Sequence, residues 1–180
     1  MQIDKSQLIV RELVAEELDA YMEFIKFVKA HMEHPEWLGE FTREEYEWML
    51  SNNSHIYVWT FNENINCSLT CVDQFVACGM IIPARQKDLD KFLQTDLKFE
   101  KVADFGPEAV HPRFIGNGLQ SDVIKFLESA AVKKGFLHGL GTVDPENIYS
   151  IRNLLKNGFE IVARVELSRG TREVLRKDNL

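Results

Sequence analysis

The chain has 180 residues, 45% of them hydrophobic and 27% charged, which suits one compact soluble domain over residues 1 to 180 and leaves no room for a second. Its formal net charge of -7 lies wholly in the first third: residues 1 to 60 hold 12 acids and 5 bases and residues 61 to 180 hold 16 of each, so no basic face is available for nucleic acid. The longest apolar stretch, Phe75 to Pro83, falls far short of the ~20 residues of a membrane span, and Met1-Gln2-Ile3-Asp4-Lys5 carries no secretory pattern, which sets the cytoplasm as the expected location.

In chain order, Gln7 to Val14 reads as a strand, and Leu18, Tyr21, Met22, Ile25, Val28 and Met32 then recur at helical spacing. Phe24 and Phe27 widen the apolar arc of that helix, either because it is well buried or because one flank lines a cavity. His34-Pro35 stops it, and Thr42-Arg43-Glu44-Glu45 is a capping box that opens a short helix to about Leu50. His55 to Phe61 and Phe75 to Ile82 read as strands joined by a hairpin with an irregular return over Asn62 to Gln74. Gln86 to Gln94 reads as a short inserted helix. Val102 to Val110 is a strand interrupted at Gly106-Pro107, where a bulge or a parting from the neighbouring strand is expected.

A helix from about Gly118 to Lys134 ends at Gly135, Leu137 to Val143 is a strand, and Asp144-Pro145 looks like a helix start closed by Gly158. Phe159 to Leu167 and Thr171 to Leu175 end the chain as two strands around Ser168-Arg169-Gly170. The strand, helix, strand passage over 102 to 143 implies a parallel pair in an otherwise mixed sheet with helices on both faces. Cys67, Cys71 and Cys78 lack the paired spacing of a zinc site and read as free thiols, so no metal is expected.

One segment carries chemistry. From Val110-His111-Pro112 a strand leads through Gly116-Asn117-Gly118 into a helix start, where unpaired amides and the positive end of the helix dipole suit a phosphate. No Gly-Lys-Ser/Thr follows, which excludes a Walker loop, and the dinucleotide fingerprint fails at Ser121.

This segment, together with Asn147-x-x-Ser150 and Lys156-x-Gly158-Phe159, resembles the GNAT superfamily of acyl-CoA-dependent N-acyltransferases. The resemblance implies an α/β (α+β) domain with a mixed, mostly antiparallel central sheet. It also implies acetyl transfer from acetyl-CoA, as co-substrate, to a primary amine of a small molecule or peptide by direct attack in a ternary complex. By position, the amides of Gly116, Asn117, Gly118 and Gln120 would hold the pyrophosphate, the Val110 backbone would face the pantetheine or the acyl carbonyl, and Asn147 would contact the cofactor arm. The sequence leaves a homodimer open.

The sequence departs from the family pattern in three places. Ile115 stands at the basic or amide position of the loop, Gln120 at its small residue, and Leu154 where many members carry a tyrosine that protonates the leaving thiolate. A base near the end of the fourth strand would take the amine proton: Glu108 first, then His111, whose titration suits neutral pH, then Asp104. Tyr149 is an alternative acid. Glu16, Glu17, Asp19, Glu23 and the acids around the second helix would favour a cationic acceptor if they border the cleft, whereas Phe24, Phe27, Trp37 and Trp48 would favour an apolar one. A catalytically silent acyl-CoA-binding or sensory module, and an interaction domain keeping only the fold, are the competing classes.

Overall fold

The computed structural model describes residues 2–62 and 74–180, so most of the expected hairpin return, with Cys67 and Cys71, lies outside the described residues. The strands are β1 (Leu8–Glu12), β2 (His55–Phe61), β3 (Phe75–Pro83), β4 (Val102–Phe105), β5 (Ala109–Val110), β6 (His138–Val143), β7 (Glu160–Leu167) and β8 (Gly170–Asp178). Among the described residues five α-helices accompany them: α1 (Leu18–Ala30), α2 (Arg43–Ser51), α3 (Gln86–Lys91), α4 (Leu119–Lys133) and α5 (Ile148–Lys156). The described strands form one sheet in the order β1-β2-β3-β4-β6-β8-β7, with β5 beside β3, and every pair is antiparallel except β4 against β6. This is the expected mixed α/β fold.

Strand alternation sends successive side chains to opposite faces. From β2, Ile56 and Val58 join Leu18, Tyr21, Phe24, Ile25, Tyr46 and Met49 of α1 and α2 on one face. Tyr57 and Trp59 meet α4, whose Val123, Ile124 and Leu127 are buried on the other, and Leu154 of α5 belongs to that same cluster. The helical stripe of α1 therefore packs as read, with Phe24 also fully buried, its ring 5.7 Å from Phe75.

Local signals placed several ends correctly. Thr42 accepts from the Glu45 amide at 3.2 Å while the Glu45 carboxylate accepts from the Thr42 amide at 2.8 Å, so the capping box is formed in full. The start of α5 differs from the reading. Asn147, not Asp144, is the cap, its Oδ1 accepting from the Ser150 amide at 3.1 Å. Asp144 holds the turn before the helix, its Oδ1 accepting from the Glu146 amide at 3.0 Å, while its Oδ2 takes a 2.8 Å bond from Arg172.

Candidate active site

The site begins as a gap in the sheet. Residues Val102 to Asp104 of β4 pair with His138 to Leu140 of β6, but beyond Gly106-Pro107 the chain follows β3 alone, with Ala109 and Val110 opposite Cys78 and Ala77. Proline has no amide hydrogen to give a ladder, and Gly106 stands at φ 136°, a conformation open to glycine. Gly141 to Val143 keep only their β8 partners. Between β5 and this end of β6 the sheet parts, and a pocket of about 140 Å³ opens there.

The pocket walls come from both faces. Gln120 of α4, Asn147 and Ser150 at the start of α5 and Leu154 further along it line one side, and Trp37, Gly39 and Phe41, from the connection between α1 and α2, line the other with Arg169 of the β7–β8 turn. Gln120 is tied down: its Nε2 donates to Ser150 Oγ at 3.1 Å and its Oε1 accepts from Asn153 Nδ2 at 2.7 Å. The long side chain at the family's small position thus lies toward α5 as part of the wall.

Two carboxylates face this space. Ala103 and Phe105 pack with the α4 side of the core, so Asp104 between them projects to the opposite face, toward Arg169 and Asp88. Glu108 lies beside Gln120. Burial pushes the Asp104 carboxyl up to about 7, with repulsion from Asp88 adding and attraction to Arg169 opposing. Burial likewise pushes Glu108 up to about 7; the Gln120 contact opposes the rise, and repulsion from Asp104 and Glu128 adds to it. Both groups therefore exchange protons near neutral pH, the range in which a general base is useful.

The glycine loop stands at the amino end of α4. Gly116 (φ 87°) and Gly118 (φ 72°) are left-handed, and a Cβ on Gly116 would meet nothing within 4 Å. The space beside these backbone groups is open, as an anion cradle requires. Asn117 braces the loop from within: its Nδ2 donates to the Phe114 carbonyl at 2.9 Å and its Oδ1 accepts from the Ile3 amide at 3.1 Å. The same amino-terminal arm brings Lys5 Nζ to 3.5 Å from where a Gly118 Cβ would be. Ile115, at the family's basic position, is 68% exposed. A basic group is therefore present at the loop, supplied from residue 5 instead of from within the motif.

Among the sequence candidates, Glu108, Asp104, Gln120 and Asn147 meet in the pocket, and Gly116, Asn117 and Gly118 form the loop one helical turn from Gln120. Val110 sits on β5 opposite Ala77. His111 is not brought to the pocket. It is fully buried among aromatic rings, 5.1 Å from Phe27, 5.4 Å from Phe114 and 6.2 Å from Phe24, and its Nδ1 accepts from the Arg113 amide. Tyr149 is 69% exposed and also lies off the pocket. Cys78 is buried, its thiol pushed up to about 12, which removes it as a nucleophile.

The acids of the first third do not line the pocket either. Glu17 pairs with Arg11, Asp19 and Glu47 with Arg43, Glu23 with Lys26 and Glu40 with Lys29. Trp37 and Phe41 are the aromatic residues of this region that do line it, while Phe24 and Phe27 pack in and beside the core. Reading the sequence missed Lys5 and Arg169, because each reaches its place through a contact more than a hundred residues away.

Neither a protein-family model nor a curated protein sequence matches this chain. Solved structures do match in fold. An acetyltransferase of the GNAT family from Streptococcus pneumoniae superposes with a TM-score of 0.70 at 17% identity, over 96% of this chain and 99% of its own. The aminoglycoside acetyltransferase AAC(6')-Ib in complex with coenzyme A gives 0.69 at 15%, over 95% and 94%. A chain of the NatC complex bound to Gag peptide and CoA gives 0.69 at 13%, over 97% and 99%. The chain has the fold of the GNAT acetyltransferases.

Proposed function

We propose that the protein is an acyl-CoA-dependent N-acetyltransferase that moves an acetyl group from acetyl-CoA to a primary amine in a ternary complex. The observation that carries this reading is the gap between β5 and β6, which joins an open glycine loop at the start of α4 to a pocket holding two carboxylates that exchange protons near pH 7.

The backbone of Gly116, Asn117 and Gly118 holds the pyrophosphate at the amino end of α4, with Lys5 adding the positive charge that Ile115 does not. Gln120 presents its backbone to the same end while its side chain buttresses α5, and Asn147 and the Val110 backbone flank the arm that runs into the gap. When bound, the thioester supplies an acyl carbon that the amine nitrogen can attack. Glu108 takes the amine proton, directly or through water, and Asp104 across the pocket tunes it by repulsion. As the new N–C bond forms and the C–S bond breaks, the thiolate takes its proton from solvent, because Leu154 offers none.

Leu154, 5% exposed and set in the pocket wall, also favours a second reading: a module that binds acyl-CoA without turnover. Release of free CoA thiol from acetyl-CoA with a mixed amine panel separates the two. Turnover with at least one amine is expected. Acetyl-CoA binding without turnover across a broad panel would overturn the enzyme reading in favour of the sensor, and neither binding nor turnover would leave only an interaction domain.

A further inference from the structure

The acceptor end of the pocket holds a charge that the proposed reaction does not use. Arg169 stands in the turn between β7 and β8, and instead of extending over its own hairpin it crosses to the connection between α1 and α2. A Cβ on Gly39 would lie 3.0 Å from Arg169 Nη1, so the guanidinium lies directly against the bare backbone of residue 39. Gly39 and Arg169 both line the pocket.

The arginines around it are neutralised. On β7 and β8, Arg164 pairs with Glu173, Arg172 with Asp144 at 2.8 Å, and Arg176 with Asp96 and Asp178 at 2.9 and 2.8 Å. Arg169 has no hydrogen bond or ion pair among the described residues. Burial and the neighbouring Arg172 lower its affinity for a proton, and Asp104 is the one carboxylate that opposes them. A guanidinium is a planar fork of donors that fits an oxyanion, and Arg169 presents one to the pocket while staying open to solvent.

We infer that Arg169, seated on Gly39, is the recognition residue for an anionic oxyacid group on the acceptor, so that the acceptor is a small amine also carrying a carboxylate or phosphate. The pocket is bipolar in this sense. Asp104 projects toward the face that carries Gly39 and Arg169, and Glu108 lines the same pocket, so one cavity holds carboxylates and a guanidinium for an oxyanion together. A second ammonium on the acceptor would meet Arg169, and no acid of the first third lines the pocket to welcome it. The inference rests on the acetyl-transfer reading for its word acceptor, while the anion subsite itself can be tested by binding alone.

The test uses four amines of similar length: 3-aminopropanoate, O-phosphoethanolamine, propylamine and 1,3-diaminopropane. CoA release gives kcat and KM for each, and the melting temperature with saturating CoA gives binding whether or not turnover occurs. The wild type is expected to prefer the two oxyacid amines over propylamine and the diamine by at least about tenfold in kcat/KM, as befits a charge-assisted pair. Arg169→Gln should raise KM for the preferred amine by about 10- to 100-fold, with kcat and the acetyl-CoA-induced melting shift kept, and Arg169→Lys should recover part of the loss. Preference between the carboxylate and the phosphate identifies the oxyacid. If no amine turns over, loss of the oxyacid-dependent melting shift in Arg169→Gln still supports the subsite while the transfer reading fails. Equal treatment of all four amines by wild type and variant, in rate and in binding, overturns the inference.

Discussion

Lys5 places its ammonium 2.6 Å from the Asp122 carboxylate, a residue 117 positions on, and in doing so holds a positive charge against the glycine loop at the start of α4. Both partners are well exposed, so the pair adds little to stability. Its weight falls on ligand binding. Lys5→Met is expected to weaken acetyl-CoA about two- to fivefold, the size of one exposed charge contact, while shifting the unliganded melting temperature little. Gly118→Val should act far more strongly. A branched residue is strained at φ 72°, and its side chain would fill the space beside the loop amides. Thermal shift with acetyl-CoA checks both, and an undiminished shift in folded Gly118→Val would place the cradle elsewhere.

The pocket carboxylates set a pH dependence whose sign follows from burial. Asp104 and Glu108 are both raised to about 7 from ordinary carboxylate values. Between those ordinary values and about 7 the unfolded chain has lost protons that the folded chain keeps, so stability falls as pH rises through this window. Activity runs the other way, because the base must be ionised, and kcat/KM should climb with an apparent midpoint near 7. Glu108→Gln should cut turnover by ~10²-fold or more with acetyl-CoA binding intact. Asp104→Asn removes a repulsion, so it should move the midpoint downward. A pH–rate profile of the three proteins checks the set. A midpoint that stays near neutral pH in Glu108→Gln and disappears in Asp104→Asn would exchange their roles.

Much of this was readable because the causes are local. The capping box of Thr42 and Glu45, the break at Gly106-Pro107 and the left-handed glycines 116 and 118 each depend on a handful of adjacent residues. The failures share one feature: a partner distant in sequence. Asp144 has the letters of a helix cap, but its carboxylate is shared between the Glu146 amide of the local turn and Arg172, and Asn147 caps the helix. His111 has the right chemistry for a base at neutral pH, yet Phe24 and Phe27 from α1 and Phe114 seal it from the pocket. Arg169 looked like a turn residue until the fold brought Gly39 beneath it. Counting acids along the chain likewise could not reveal which of them meet a base, as Glu17, Asp19 and Glu40 meet Arg11, Arg43 and Lys29.

Gly79 tests the packing that holds the gap open. It lies in the middle of β3, where glycine ordinarily weakens a strand, and a Cβ there would come within 2.6 Å of Val123 Cγ1 and 2.9 Å of Leu127 Cδ1. The close seat of α4 on β3 therefore depends on its absence. Gly79→Ala should destabilise by about 1–3 kcal/mol through overpacking, read as a lower urea midpoint with an unchanged slope. Because α4 carries the loop, the variant should also lose acetyl-CoA affinity. An equally stable protein would mean that α4 can shift without cost.

The pair of Asp144 and Arg172 joins the two halves of the pocket wall. Asp144 lies between β6 and the start of α5, where Asn147 and Ser150 line the pocket, and Arg172 lies on β8 just after the turn that carries Arg169. The Arg172 side chain is 4% exposed, its Nη1 also donates to the Thr171 carbonyl at 2.7 Å, and its Nη2 has no partner among the described residues. Removing the carboxylate strands a buried guanidinium, so Asp144→Ala should cost about 3–5 kcal/mol, a large part of the ~5–15 kcal/mol that holds a domain together. Asp144→Asn keeps an acceptor and should cost less. Replacing both residues, Asp144→Leu with Arg172→Met, should recover part of the loss, because no charge is then left unpaired although the Glu146 amide loses its acceptor. If the pair acts only on stability, the recovered double variant will turn over normally. If it also sets the position of the β7–β8 turn, KM for the amine will rise while KM for acetyl-CoA holds, since Arg169 stands three residues away on the same turn and the glycine loop does not.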